Sequence, residues 1–262
     1  MTNSSPLPQP TSYQSLNLML KRLKLSHFLA EWPAIEQRAT QKHWSYAQFL
    51  LALAEGEANR RDQARITRAL SEAHLPYGKS WTNFEFAHLP SLKPTVLMPF
   101  IEDSTWLNRA ENLLLFGPSG VEKTHLSASV GQAMVSFGKR VKFLPASTLV
   151  QQLQQAKLQL QLATVLSKLD RYELLIIDDL GYVKKTEMET SVLFELIAHR
   201  YERRSLLITA NQPFSQWDSI FSDSMMTVAA IDRLVHHATI IELQAESFRK
   251  QAALARSQSP KI

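Results

Sequence analysis

The chain has 262 residues, 45% of them hydrophobic and 20% charged, with no cysteine and a net charge of +5. That length accommodates a domain of about 150 residues plus a smaller one. The absence of cysteine excludes disulfides, thiolate metal sites and a cysteine nucleophile, and fits a cytoplasmic protein. No apolar run approaches the length of a membrane span, and the polar, Pro-rich start "MTNSSPLPQPTS" reads as a disordered tail over 1–13 rather than a signal peptide. The charge is uneven: residues 1–100 hold 11 Lys/Arg against 7 Asp/Glu, or +4, which leaves +1 for the rest. A basic N-terminal segment points to an acidic partner such as nucleic acid, or to a solvated helix surface.

Residues 14–75 read as a small all-helical domain. In "YQSLNLMLKRLKLSHFLAEWPAIEQRA" the apolar positions Leu16, Met19, Leu20, Leu23, Phe28 and Leu29 recur at helical spacing. Ser45 suits the N-cap of the next helix, "YAQFLLALAEGEANRRDQARITRALSEA". Its second half carries Arg60, Arg61, Arg65 and Arg68, of which Arg61, Arg65 and Arg68 share one face. That stripe either lies along a phosphate backbone or is a solvated face supported by Glu57–Arg61 at i,i+4. Residues 76–105, with Pro76, Gly78, Pro90, Pro94 and Pro99, read as a connector whose "WTNFEF" aromatics pack onto the body.

From 106 to 251 short apolar runs alternate with helical segments. "NLLLF" (112–116), "RVKFL" (140–144), "ELLIID" (173–178), "SLLITA" (205–210) and "ATIIEL" (238–243) read as five parallel strands covered on both faces. Helices are expected near 124–137, 147–169, 187–203 and 225–237. The alternation predicts an α/β three-layer sandwich with right-handed crossovers. Residues 252–262 read as a second tail.

After the first strand comes "GPSGVEKTH": Gly117, Pro118, Ser119, Gly120, Val121, Glu122, Lys123, Thr124 and His125. A strand, a glycine-rich loop, Lys-Thr and a helix read as a phosphate-binding loop of the P-loop NTPase kind, against the alternative of an ordinary Gly-rich turn before a helix. Lys123 would reach the β- and γ-phosphates of ATP, and the Thr124 hydroxyl would bind Mg²⁺. Position 122 holds Glu where the motif has its second glycine. Fifty residues on, "LLIIDD" ends a strand in two carboxylates that either cap the next turn or face the loop, where Asp178 would hold the metal through water and Asp179 would polarise the attacking water. In "LLITANQPF" Asn211 either orients that water or is turn chemistry before Gln-Pro. Arg233, on the helix before the last strand, either reaches a neighbouring subunit's nucleotide or pairs with Asp232 or Glu242. His236 and His237, as neighbours on a helix, point apart and predict no metal site.

"LLLFGPSGVEKTHLS", "YELLIIDDLGYV", "LLITANQPFSQW" and "AAIDRLVHHATIIELQAESFR" together resemble the IstB family. These are AAA+ ATP-binding helper proteins of insertion-sequence transposons, related to the DnaC helicase loader and the DnaA initiator. "LKLSHFLAEW", "SYAQFLLALAEGEANRR" and "NFEF" extend the resemblance to about residues 15–250. It implies an AAA+ fold and an ATP-dependent homo-oligomer on double-stranded DNA that assists a transposase in choosing its target. It also implies a bacterial, cytoplasmic, DNA-associated protein. By the same resemblance Lys123 and Thr124 match the phosphate loop, Asp178 and Asp179 the Walker B pair, Asn211 sensor I and Arg233 the arginine finger. Arg249 in "ESFR" matches a family arginine.

Glu122 departs from the family's glycine. A carboxylate about 5 Å from a phosphate charge is repelled by roughly 3 kcal/mol at an effective dielectric near 20, on the order of a hundredfold in affinity. The repulsion shrinks if the side chain turns to solvent or pairs with a cation. Three readings follow: a working ATPase, a weak binder that hydrolyses slowly, or a DNA-binding scaffold with a silent site. A DnaC-like helicase loader would share the core, but "LKLSHFLAEW" looks more like the transposon branch.

Overall fold

A computed structural model describes residues 13–86, 89, 92–181, 186–212, 216 and 224–244, the side chains of 224–227 excepted. The tails expected at 1–13 and 252–262 lie outside these residues apart from Tyr13, and so does Arg249. Two compact units make up the chain, the first ending at Thr67 and the second beginning at Arg68.

The first unit comprises helices α1 (Tyr13–Arg22), α2 (Ser26–Gln41) and most of α3 (Tyr46–Ala73). Ser45 begins α3 as expected. Its hydroxyl accepts from the Gln48 amide, while the Gln48 side chain accepts from the Ser45 N–H, a reciprocal cap that satisfies two free donors. Leu20, Ile35 and Leu53 are buried here, together with the carboxylate of Glu57. Leu16 and Met19 on α1, and Leu23 in the turn after it, stay exposed.

The second unit holds the end of α3, then a 3₁₀ turn (Trp81–Asn83), α4 (Pro94–Glu102) and the single turn α5 (Thr105–Asn108). Pro94 starts α4, where its missing N–H has no partner to lose. The sheet consists of β1 (Asn112–Phe116), β2 (Val141–Pro145), β3 (Leu174–Leu180), β4 (Ser205–Ala210) and β5 (Ala238–Glu242). All its pairs are parallel, in the order β2-β3-β4-β1-β5. Helices α6 (Lys123–Ser136), α7 (Ala146–Leu158), α8 (Leu162–Leu169), α9 (Glu187–Arg200) and α10 (Ser224–Val235) cover it. Leu114, Phe116, Leu175, Ile177, Leu206 and Ile208 point into the core shared with α7 to α10. The alternate positions, Leu113, Leu115, Leu174, Ile176 and Leu207, are equally buried on the α6 side. Gly131 lets α6 approach closely, since a Cβ there would stand 2.7 Å from Ile176 Cδ1. This is the three-layer α/β sandwich expected from the strand–helix alternation.

Three local expectations fail. The helix predicted over 147–169 is two helices, broken where Leu160 takes a left-handed φ of 56°. The Gln-rich stretch contains neither glycine nor proline to mark the break. β5, an edge strand, is largely exposed despite its apolar sequence. The last helix ends at Val235, so His236 and His237 sit in a turn instead of on the helix. Their rings lie 4.0 Å apart, and Glu202 is 3.9 and 3.8 Å from them, where helical positions would have separated them.

Candidate nucleotide site

The phosphate-loop candidates gather at the C-terminal ends of β1, β3 and β4, where an open parallel sheet forms its crevice. A cavity of about 400 Å³ is lined there by Ser119, Gly120, Glu122, Lys123, Thr124, Asp178, Asp179 and Asn211, and by two residues sequence reasoning missed, Lys79 and Thr209.

The loop's first residue is tightly enclosed. A Cβ on Gly117 would stand 2.5 Å from the Leu243 carbonyl oxygen, and its φ of 151° is glycine's own. Val121 is buried beneath the loop. Glu122 forms the N-cap of α6 with φ 61° and ψ 22°, the left-handed conformation that explains why the motif has glycine there. A non-glycine residue accepts roughly 1–2 kcal/mol of strain in this region. The side chain therefore alters the charge and bulk at the loop, while the backbone keeps the shape glycine would give it.

Lys123 is buried, and its ammonium donates to the carbonyls of Gly117 (2.7 Å) and Pro118 (2.8 Å) and to Asn211 Oδ1 (2.7 Å). Asn211 Nδ2 donates in turn to Asp179 Oδ1. A second chain starts at Thr124, whose hydroxyl lies 2.9 and 3.2 Å from the two oxygens of Asp178. Asp178 also accepts from Thr209 Oγ1 at 2.7 Å, and that hydroxyl accepts from the Asp179 N–H at 2.8 Å. Loop, acidic strand and polar strand tip are thus bound into one network.

Adjacent residues on a regular strand point to opposite faces. Asp178 and Asp179 both reach the cavity because the β3–β4 register shifts between Ile177 and Leu180, with Asp179 at φ 64°. The Thr124 hydroxyl and the Asp178 carboxylate form an all-oxygen donor set suited to a hard cation such as Mg²⁺. Lys123 and the open loop suit a polyphosphate beside it. The residues present therefore fit Mg²⁺–ATP.

The remaining candidates lie elsewhere. His125 turns from the cavity towards Ser80 and Phe84. Arg233 donates to its own helix at Ala229 O, and its guanidinium lies 5.3 Å from the Phe194 ring centroid. On α3, Arg60 and Arg61 both bond Glu57 at 2.8 Å, and Arg65 is 3.4 Å from Asp62. Arg68 follows them on the same helix. The Arg60 guanidinium first, then the His27 N–H and Arg61, hold the Glu57 carboxyl at about 2 despite its burial.

A second cavity, of about 710 Å³, runs along the free edge of β2. His74, Arg140, Lys142, Lys168 and Arg171 line it, with no carboxylate among the described residues that do. Arg140 and Lys142 lie 5.8 and 6.0 Å from the Tyr172 ring centroid. Burial pulls the Lys142 ammonium below its ordinary value.

The chain is 48% identical to an insertion-sequence ATP-binding protein of Sinorhizobium fredii, over 91% of this chain and 80% of that one. It is 33% identical to the ATP-binding protein of insertion sequence IS21 from Pseudomonas aeruginosa, over 94% of both. AMPPCP-bound DnaA from Aquifex aeolicus shares the fold, with a TM-score of 0.52 and 16% identity over 72% of this chain and 57% of that one. No helix among the described residues is long and apolar enough to cross a membrane. Residues 18–256 match the family described as IstB-like ATP binding protein, and the chain belongs to that family.

Proposed function

We propose that this chain is an ATP-hydrolysing assembly factor of insertion-sequence transposition, acting in the bacterial cytoplasm on double-stranded DNA beside its transposase. The observation that carries the reading is the single network joining Lys123 and Thr124 to Asp178, Asp179 and Asn211. Thr124 and Asp178 would hold Mg²⁺, and Lys123 would bind the β- and γ-phosphates. Bound Mg²⁺–ATP supplies the transferable phosphoryl group and the cation that offsets its charge. Asp179 would take the proton of the attacking water, with Asn211 holding both that carboxylate and the Lys123 ammonium in place. Arg233, now parked on Phe194, would have to leave it to reach a neighbour's nucleotide.

Two features support the finer parts of the reading. The basic groove at the β2 edge offers four unit charges to a phosphate backbone, whereas Arg60 and Arg61 are held by Glu57. Exposed Met19, Leu23, Leu50 and Leu51 on the first unit form apolar surface suited to self-assembly. Glu122 favours a second reading, a DNA-binding scaffold with a silent nucleotide site.

Sedimentation on duplex DNA with ATP and Mg²⁺, alongside fluorescent-ATP binding, separates the two. ATP-dependent assembly that is lost in Lys123→Ala is the expected result. Assembly indifferent to both ATP and Lys123→Ala would leave the scaffold.

A further inference from the structure

The Glu122 carboxylate does not hang free in the phosphate cavity. Its Oε2 lies 3.2 Å from His125 Nδ1, one helical turn on. The other ring nitrogen, Nε2, donates to the Ser80 carbonyl at 3.0 Å. Both ring nitrogens thus face oxygen atoms, one of the Glu122 carboxylate and one of the Ser80 carbonyl. The ring is fixed from a third side by Phe84, edge-on at 5.2 Å between centroids. Phe84 itself belongs to an aromatic cluster with Trp81 and Phe86. The pair is partly sheltered, with the His125 side chain 12% exposed and that of Glu122 26%. Shelter strengthens a polar contact relative to one in open water.

We propose that His125, braced by Ser80 and Phe84, is a positioning residue that draws the Glu122 carboxylate away from the path of the phosphates. The left-handed backbone at Glu122 keeps the loop in the shape glycine would give it. The His125 contact disposes of the side chain that glycine lacks. The loop thereby takes a nucleotide without its second glycine, at the cost of depending on a residue outside the phosphate contacts. This inference rests on the ATP-binding reading. It adds that the importance of His125 for affinity exists only because position 122 is glutamate.

The test is a double-mutant cycle on the full chain: the parent, Glu122→Gly, His125→Ala and the two combined, read as Kd for a fluorescent ATP analogue with Mg²⁺. Thermal melts of all four check folding. His125→Ala in the parent should weaken binding roughly tenfold, because the released carboxylate faces phosphate charge in a partly screened site. In the Glu122→Gly background the same change should cost less than about twofold. His125→Gln, whose amide N–H can still donate to the carboxylate, should restore part of the loss and serves if the alanine variant does not fold. Equal losses in both backgrounds would overturn the proposal, since His125 would then merely hold the loop. No loss in the parent would overturn it as well. If none of the proteins binds nucleotide, Glu122→Gly included, the ATP reading itself falls and the proposal with it. Failure of the coupling alone leaves that reading intact.

Discussion

Thr209 is a small residue with two duties, donating to Asp178 and accepting from the Asp179 N–H. Thr209→Val keeps the shape and removes both bonds. ATP turnover should fall by about tenfold, with the fold weakened by only about 1–2 kcal/mol, measured by phosphate release and thermal unfolding. Nothing in "LLITAN" betrays this role, because a threonine within an apolar strand reads as β-branched filler. Lys123, Thr124 and the two aspartates were legible because their chemistry is written in contiguous letters beside a strand. Lys79 and Ser80 were not, since only the fold brings the connector to the loop. Glu122 and His125 stand three apart on one helical turn, a spacing that could have suggested their contact. Glu57 offers a pH test. Its folded value of about 2 lies below the ordinary 4.5, so the charged form favours the folded state. The stability it contributes is complete above about 4.5 and is lost as pH falls towards about 2. Thermal melts of the parent should drop through that window, and those of Glu57→Gln should drop less.

At the scale of elements, Arg200 is the pin of the second unit. It is fully buried at the end of α9 and donates to the carbonyls of Leu169, Tyr172 and Ser205. These mark the end of α8, the approach to β3 and the start of β4. Burial lowers its guanidinium to about 10, still charged at neutral pH. Arg200→Met should destabilise the unit by about 3–5 kcal/mol, because three buried carbonyls lose their donor together. Denaturant unfolding would measure it, and a change under 1 kcal/mol would refute it. The five strands were legible from their apolar runs, and the order of layers followed from the alternation. The break between α7 and α8 was hidden because leucine, not glycine, takes the left-handed turn at position 160. The end of α10 was hidden for a similar reason, since "LVHHAT" carries no breaker after Val235.

For the whole molecule, assembly and DNA contact should separate. Replacing Met19 and Leu23 by lysine should abolish ATP-dependent assembly and leave nucleotide affinity within about twofold, since Met19 on α1 and Leu23 in the turn after it are both exposed on the first unit. Sedimentation and fluorescent-ATP binding would check the two halves of that expectation. Arg140→Glu with Arg171→Glu should weaken duplex binding at least about tenfold and flatten its dependence on salt, as fewer counterions are released. If DNA binding survives that change, the arginines of α3 become the better candidates. Net charge had located the basic excess in the first 100 residues, yet this groove draws mainly on residues 140–171. A sum over sequence cannot see charges that folding gathers along one strand edge.

The ammonium of Lys123 already has three acceptors of its own chain, two carbonyls and the Asn211 amide oxygen. An arriving nucleotide therefore exchanges bonds instead of adding them, and its heat of binding is the difference between two nearly full sets. Calorimetry should record a small enthalpy even where fluorescence reports firm binding. Release of the Asn211 side chain from the lysine would then be the first local sign that the site is filled.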